Sequence, residues 1–143
     1  MTQDQLKHLE FIQAIITRMN SNSFQLKGWA ITIVSALLAL YASSSNVTYI
    51  FIAIAPTILF WFLDTYYLQQ ERKFRGLYDD VVAQSVPDFA MSTEKYVGGE
   101  YRLCKSFWSP TIACLYGIIG LGLFVGGIIL QFADCCRVVH CCH

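Results

Sequence analysis

At 143 residues the chain has the length of one domain, yet 55% of it is hydrophobic, 15% aromatic and only 14% charged, which excludes an ordinary water-soluble composition. Ten basic and ten acidic residues cancel to a formal net charge of zero, so the basic footprint of a nucleic-acid-binding domain is absent and no nucleic acid partner is expected. With a mean hydropathy of +0.46, the chain reads as an all-α integral membrane protein, a single membrane domain over 1–143 whose first partner is the lipid bilayer.

The opening 1–23 mixes acidic and basic groups and lacks a cationic start, a short apolar core and a small-residue cleavage site. No cleavable signal peptide is expected, and the first apolar run should stay in the membrane. Neither Met1-Thr2 nor the terminal Cys-Cys-His is a lipidation signal. Within 4–20, Leu6, Leu9, Ile12, Ile16 and Met19 recur at steps of three and four. This spacing predicts an amphipathic helix that lies at the inner interface or packs against the rest of the protein. Asn20-Ser21-Asn22-Ser23 reads as a break, with Ser23 capping the helix that follows.

The first span is predicted over 24–42, about 19 residues rising about 28 Å. Lys27 is expected to snorkel and Trp29 to anchor at the headgroups. Gly28, Thr32, Ser35, Ala39 and Ala42 recur at helical spacing, a small or weakly polar stripe suited to close helix approach or to lining a pore. The short uncharged connector Ser43-Ser44-Ser45-Asn46 requires an antiparallel return. The second span, 47–68, contains Pro56, where a kink should free the Ile52 carbonyl for Thr57 or a partner helix to satisfy. Trp61, Tyr66 and Tyr67 mark the inner interface. Asp64 sits just inside it, where it should pair with a nearby Arg or Lys or join an interfacial network.

Between Gln69 and Gln84 there is no proline and a single glycine, Gly76, so the second helix should continue into the cytoplasmic segment 69–107. Phe74, Leu77, Tyr78, Val81 and Val82 would form its apolar face, while Glu71, Arg72, Lys73 and Arg75 would meet water or headgroups. Pro87 should end the extension, a short helix is predicted near Ser92 to Val97, and Gly98-Gly99 reads as a turn. Ser109-Pro110 signals the start of a third span over 109–132. Gly122 and Gly126 form a GxxxG pair, and Ala113, Gly117 and Gly120 a second small edge, for contacts between or within subunits.

Lys7, Arg18 and Lys27 gather around the start of the first run, and Arg72, Lys73, Arg75, Lys95, Arg102 and Lys105 lie between the second and third. Cationic loops remain inside, so the amino terminus and 69–107 are expected in the cytoplasm, and the tail 133–143 in the periplasm of a bacterial inner membrane. That tail holds Cys135, Cys136, His140, Cys141, Cys142 and His143. Its soft ligands could hold a metal, although the adjacent Cys-Cys pairs lack the spacing of a zinc knuckle. Outside the membrane they could form disulfides, inside it they could be acylated, or the tail could have no role. Nothing resembles a nucleotide loop, a Ser-His-Asp set or a paired-carboxylate site, so neither enzyme activity nor a cofactor is expected.

Two stretches carry a resemblance: Asn22-Ser-Phe-Gln-Leu-Lys-Gly-Trp-Ala-Ile-Thr-Ile-Val-Ser-Ala-Leu, and Phe62-Leu-Asp-Thr-Tyr-Tyr-Leu-Gln-Gln-Glu-Arg-Lys-Phe-Arg-Gly-Leu-Tyr-Asp. They resemble the RipA-like family of small bacterial octameric membrane proteins, a group similar to the membrane accessory of type VI-B CRISPR systems. The resemblance covers 5–85 and departs at the cysteine-rich end. It implies a homo-oligomer around an axis, with a pore-forming or membrane-perturbing role in envelope stress or phage defence. Two alternatives stand beside it: a non-conducting scaffold that recruits a soluble cytoplasmic partner through Phe74, Leu77, Tyr78 and Val81, and a phage holin.

Overall fold

The computed structural model describes residues 3–83 and 91–141, the backbone alone at 134 and from 136 onward. Five α-helices follow one another, α1 (Gln3–Ser44), α2 (Thr48–Ile52), α3 (Ile54–Val82), α4 (Leu103–Phe107) and α5 (Pro110–Cys141), with a 3-10 turn at Gly99–Tyr101. Helices are the only regular structure among the described residues. Three stretches are long and apolar enough to cross a membrane: Gln3–Ser44, Thr48–Val82 and Pro110–Ala133.

The break expected at Asn20 to Ser23 does not exist, because α1 runs through it for 42 residues. Each Ser or Asn in a helix costs only about 0.5 kcal/mol relative to alanine, and packing along α3 offsets that penalty. Ser23 is accordingly buried against α3 rather than capping a new helix. At its end α1 closes with the Ser45 amide donating to the Tyr41 carbonyl at 2.7 Å and Ser45 itself in the left-handed region at φ 55°. The Asn46 side chain then accepts from the Thr48 amide at 3.0 Å and turns the chain into α2.

The second span is interrupted at Ala53, between α2 and α3. Pro56 has no amide to give, and one residue later the Thr57 amide reaches the Ala53 carbonyl at a stretched 3.4 Å. The Thr57 hydroxyl reinforces that same carbonyl at 2.8 Å, so it serves Ala53 and not Ile52. Beyond residue 68 the helix continues to Val82, as its uninterrupted sequence requires; Pro87 lies outside the described residues. No helix forms at 92–97, where the chain turns instead. Gly99, at φ +61°, supplies the backbone freedom that such a turn requires. A short helix, α4, appears in its place further on. Pro110 is the first residue of α5, and the Ser109 carbonyl accepts from the Ile112 and Ala113 amides at 3.0 and 2.8 Å. The helix runs past residue 132 to Cys141.

α3 is the central element. α1 packs antiparallel along its length, whereas α5 packs on α2 and α3 and meets α1 only through side chains. Three apolar clusters follow this axis. Ile12, Ile16, Leu77 and Tyr96 form one at the polar end, Ala30, Phe60, Ile112 and Tyr116 a second, and Val34, Ile50, Ala53 and Leu123 a third. Outside the second and third clusters the surface stays apolar, with Phe24, Trp29, Ile58, Phe62, Ile118, Leu121, Phe124 and Ile129 exposed. A patch of this extent marks contact with lipid or protein rather than water.

Candidate functional site: a buried polar layer between three helices

Ser23 and Lys27 stand one helical turn apart on α1 and face Asp64 of α3. Asp64 is fully buried. Its Oδ2 lies 2.6 Å from Lys27 Nζ, the Ser23 hydroxyl donates a short hydrogen bond to its Oδ1, and Lys27 also donates to Ser23 Oγ at 2.7 Å. The three groups close a triangle. An isolated carboxylate would be far too costly at such a place, so a hydroxyl and an ammonium must accompany it. The pair is asymmetric, because the Lys27 side chain remains 25% exposed while that of Asp64 is sealed.

The third wall is Tyr116 of α5, completely buried. Its hydroxyl is buried with no partner at hydrogen-bonding geometry, and Asp64 Oδ2 is held by the Lys27 ion pair alone. Trp61 stacks between Phe107 at 4.4 Å and Tyr116 at 6.3 Å, and its indole N–H points to the Phe107 carbonyl at 3.4 Å. Trp61, expected as an interface marker, therefore clamps α4 and α5 to α3.

Of the other residues grouped with Asp64 in the sequence, Glu71 does not face water. It is buried and accepts from Arg75 Nε at 2.9 Å, with a second guanidinium nitrogen at 2.6 Å. Arg72 turns toward the Glu100 carbonyl and Ser109 Oγ, both at 3.4 Å, and Lys73 is half-buried. These side chains lie further along α3 and are separate from the Asp64 triangle. Further still, the Tyr96 hydroxyl donates to Asp80 at 2.5 Å. Burial, and then the Asp80 carboxylate, raise the ionisation of this phenol well above its ordinary range.

The apolar face of the extension is partly occupied. Leu77 is buried with Ile12 and Ile16 of α1 and with Tyr96; Phe74, Tyr78 and Val81 pack there partly buried, and Val82 stays exposed. By contrast, Gly28, Thr32, Ser35, Ala39 and Ala42 are all exposed, on the side of α1 turned away from α3. On α5, a side chain added at Gly117, Gly120, Gly122 or Gly126 would meet open space, whereas at Gly127 it would meet the Phe51 ring at 3.0 Å. Gly127 and not the GxxxG pair lets α2 approach α5. In the tail, Cys135 is exposed and, like Cys104 and Cys114, free. The side chains of Cys136, His140, Cys141, Cys142 and His143 lie outside the described residues, and among the described residues no metal-ligand cluster occurs.

Sequence reasoning anticipated that Asp64 would find a cation but singled out neither Lys27 nor Ser23 as its partner, and it passed over Tyr116. A signal existed. Lys27 and Asp64 lie equally far along the chain from the Ser45-Asn46 turn, so an antiparallel hairpin sets them side by side. No protein-family model, curated protein or solved structure matches the chain.

Proposed function

We propose that the chain is a multi-pass bacterial inner-membrane protein, amino terminus inside, that assembles as a homo-oligomer and acts by forming a pore or perturbing the bilayer. Kinship with the RipA-like octameric proteins, and through it a role in stress or phage defence, belongs to the same proposal. The observation that carries it is the unpartnered face of α1. Gly28, Thr32, Ser35 and Ala39 stay exposed along an apolar helix, and the Thr32 hydroxyl folds back on the Gly28 carbonyl at 2.9 Å. In lipid such a face gains by close approach of another helix or by lining water. The adaptor reading stands as the alternative; Leu77 is buried against α1, while Phe74, Tyr78 and Val81 remain partly exposed on the face it would use.

The test combines size and flux. Detergent-purified protein at micromolar concentration is expected to run as a discrete oligomer and to release a small dye from liposomes, and Thr32→Leu with Ser35→Leu should reduce release. A monomer under those conditions overturns the assembly. An oligomer that releases nothing leaves a non-conducting scaffold.

A further inference from the structure

We propose that the cleft beside Asn22, Gln25 and Trp29 seats one phospholipid of the inner leaflet, its phosphate held by Arg18 and its glycerol esters by the two amides. The inference rests on the membrane placement proposed above, but not on the pore.

The cleft opens between α1 and α3, holds about 230 Å³ and is lined by Asn22, Gln25, Leu26, Trp29 and Tyr67. On α1, Arg18, Asn22, Gln25 and Trp29 follow one another at steps of four, three and four, and Ile33, Ala36 and Leu40 continue from Trp29 at the same steps. Such steps keep all seven on one face of the helix. Along that face the chemistry runs from a cation through two amides and an indole to hydrocarbon. A phospholipid carries the matching order of phosphate, glycerol esters and acyl chain. With a rise of 1.5 Å per residue, Arg18 stands about 6 Å beyond Asn22 and about 10 Å beyond Gln25, toward the polar end, which is the reach of a phosphate from its ester carbonyls. The groups are also available. Arg18 is exposed and has no ion pair among the described residues, while Glu71, one turn beyond Tyr67 on α3, is taken by Arg75. The Asn22 and Gln25 amides each offer two N–H donors that an ester carbonyl or a phosphate oxygen can accept. Trp29 is 66% exposed and, with Tyr67, is the kind of ring that settles at headgroup depth. Size decides between a lipid and another helix. One turn of a helix about 10 Å across fills roughly 400 Å³, more than the cleft offers, whereas a slender glycerol diester fits.

The test is native mass spectrometry of delipidated full-length protein in detergent, titrated with phosphatidylglycerol. One lipid per subunit should bind ahead of all others. Arg18→Gln should weaken that first binding about fivefold, and Asn22→Ala with Gln25→Ala about tenfold. Lys105→Gln, which also removes an exposed cation from the polar end, should leave it unchanged. Inorganic phosphate at the same concentration should not displace the lipid. No preferred first lipid, equal losses from Arg18→Gln and Lys105→Gln, or displacement by free phosphate overturns the proposal. Should the amide variant fail to purify, fluorescence decides. Phosphatidylglycerol with brominated chains should quench Trp29 in Trp108→Phe protein and saturate at one lipid per subunit, with Trp29→Phe supplying the Trp61 background; quenching that never saturates overturns the seat. Binding is counted per subunit, so a monomer or a failed flux assay and an empty cleft are distinguishable.

Discussion

A carboxylate completely enclosed between apolar helices has to be compensated within a few ångströms, and at Asp64 the compensation comes from a neighbouring helix. Two ion pairs in the molecule allow a comparison of magnitudes. Lys105 and Glu100 meet at 3.1 Å with both side chains more than half exposed, where water and side-chain entropy leave a pair worth under about 0.5 kcal/mol. Lys105→Ala should therefore be nearly silent in thermal unfolding. Asp64→Ala removes the acceptor of both Ser23 and Lys27 and opens a void between α1 and α3, and should cost about 3 kcal/mol. Equal effects of the two substitutions would show that the Asp64 triangle is no stronger than a surface contact. Tyr96 gives a pH prediction of definite sign. Its folded-state ionisation is raised, by burial first and by Asp80 second, above an unfolded value near 10. The stabilisation is thus complete below about pH 10 and is lost as pH rises beyond it, at up to about 1.4 kcal/mol per unit. Tyr96→Phe should be less stable at neutral pH by about 1 kcal/mol, through loss of the Asp80 bond, and should show a shallower alkaline decline than the parent in the same titration.

Among the helices, the two kinds of glycine on α5 separate folding from assembly. A methyl group at Gly127 would press on the Phe51 ring at 3.0 Å and on Ile50 at 3.4 Å, while at Gly122 it would touch nothing. Gly127→Val should destabilise the subunit by about 1–3 kcal/mol through overpacking between α2 and α5. Gly122→Ala should leave the subunit unchanged or stabilise it by up to about 1 kcal/mol. Any fall in oligomer size caused by Gly122→Ala would then report a contact outside the subunit. Thermal midpoint and size-exclusion mass of the same samples check both. The long helices and their apolar faces were legible because period and length are properties of the sequence itself. Ile12, Ile16 and Leu77 fell where the three- and four-residue steps put them. The joint at Asn20 to Ser23 was misread because local propensity there is weak and α3 decides the outcome. The short α4 was invisible for the related reason that five residues carry no period, and Phe107 seats it against Trp61 and Phe62 of α3. The Lys27–Asp64 pair occupies a middle position. It was readable once the two spans were folded as a hairpin, but not from either span alone.

Taken whole, the molecule has one apolar end and one polar end, and the proportions of α1 show how they relate. Its 42 residues rise about 63 Å, roughly twice the hydrocarbon thickness, so a helix that crosses the bilayer must also project about 30 Å beyond it. The projecting half pairs with the end of α3 through Ile12, Ile16 and Leu77, and carries Lys7 and Arg18, while Arg72, Lys73 and Arg75 lie on the matching half of α3. In the proposed orientation, with cationic segments held inside, this end is the cytoplasmic one. α5 converts that proposal into a measurable difference between two native thiols. Cys104 lies in α4, before the apolar stretch Pro110–Ala133, and Cys135 lies after it. Both are free and exposed, and the apolar stretch between them rises about 36 Å, enough to cross a bilayer. In single-cysteine variants, a membrane-impermeant maleimide applied to intact spheroplasts should label Cys135 and spare Cys104, and inverted vesicles should reverse the pattern. Cys114, about one turn into α5, should react in neither. Labelling of Cys104 and Cys135 from the same side would mean that α5 does not cross. The α1 face bearing Thr32 and Ser35 would then no longer be fixed in a bilayer-spanning subunit, and the assembly built on it would fail together with the orientation.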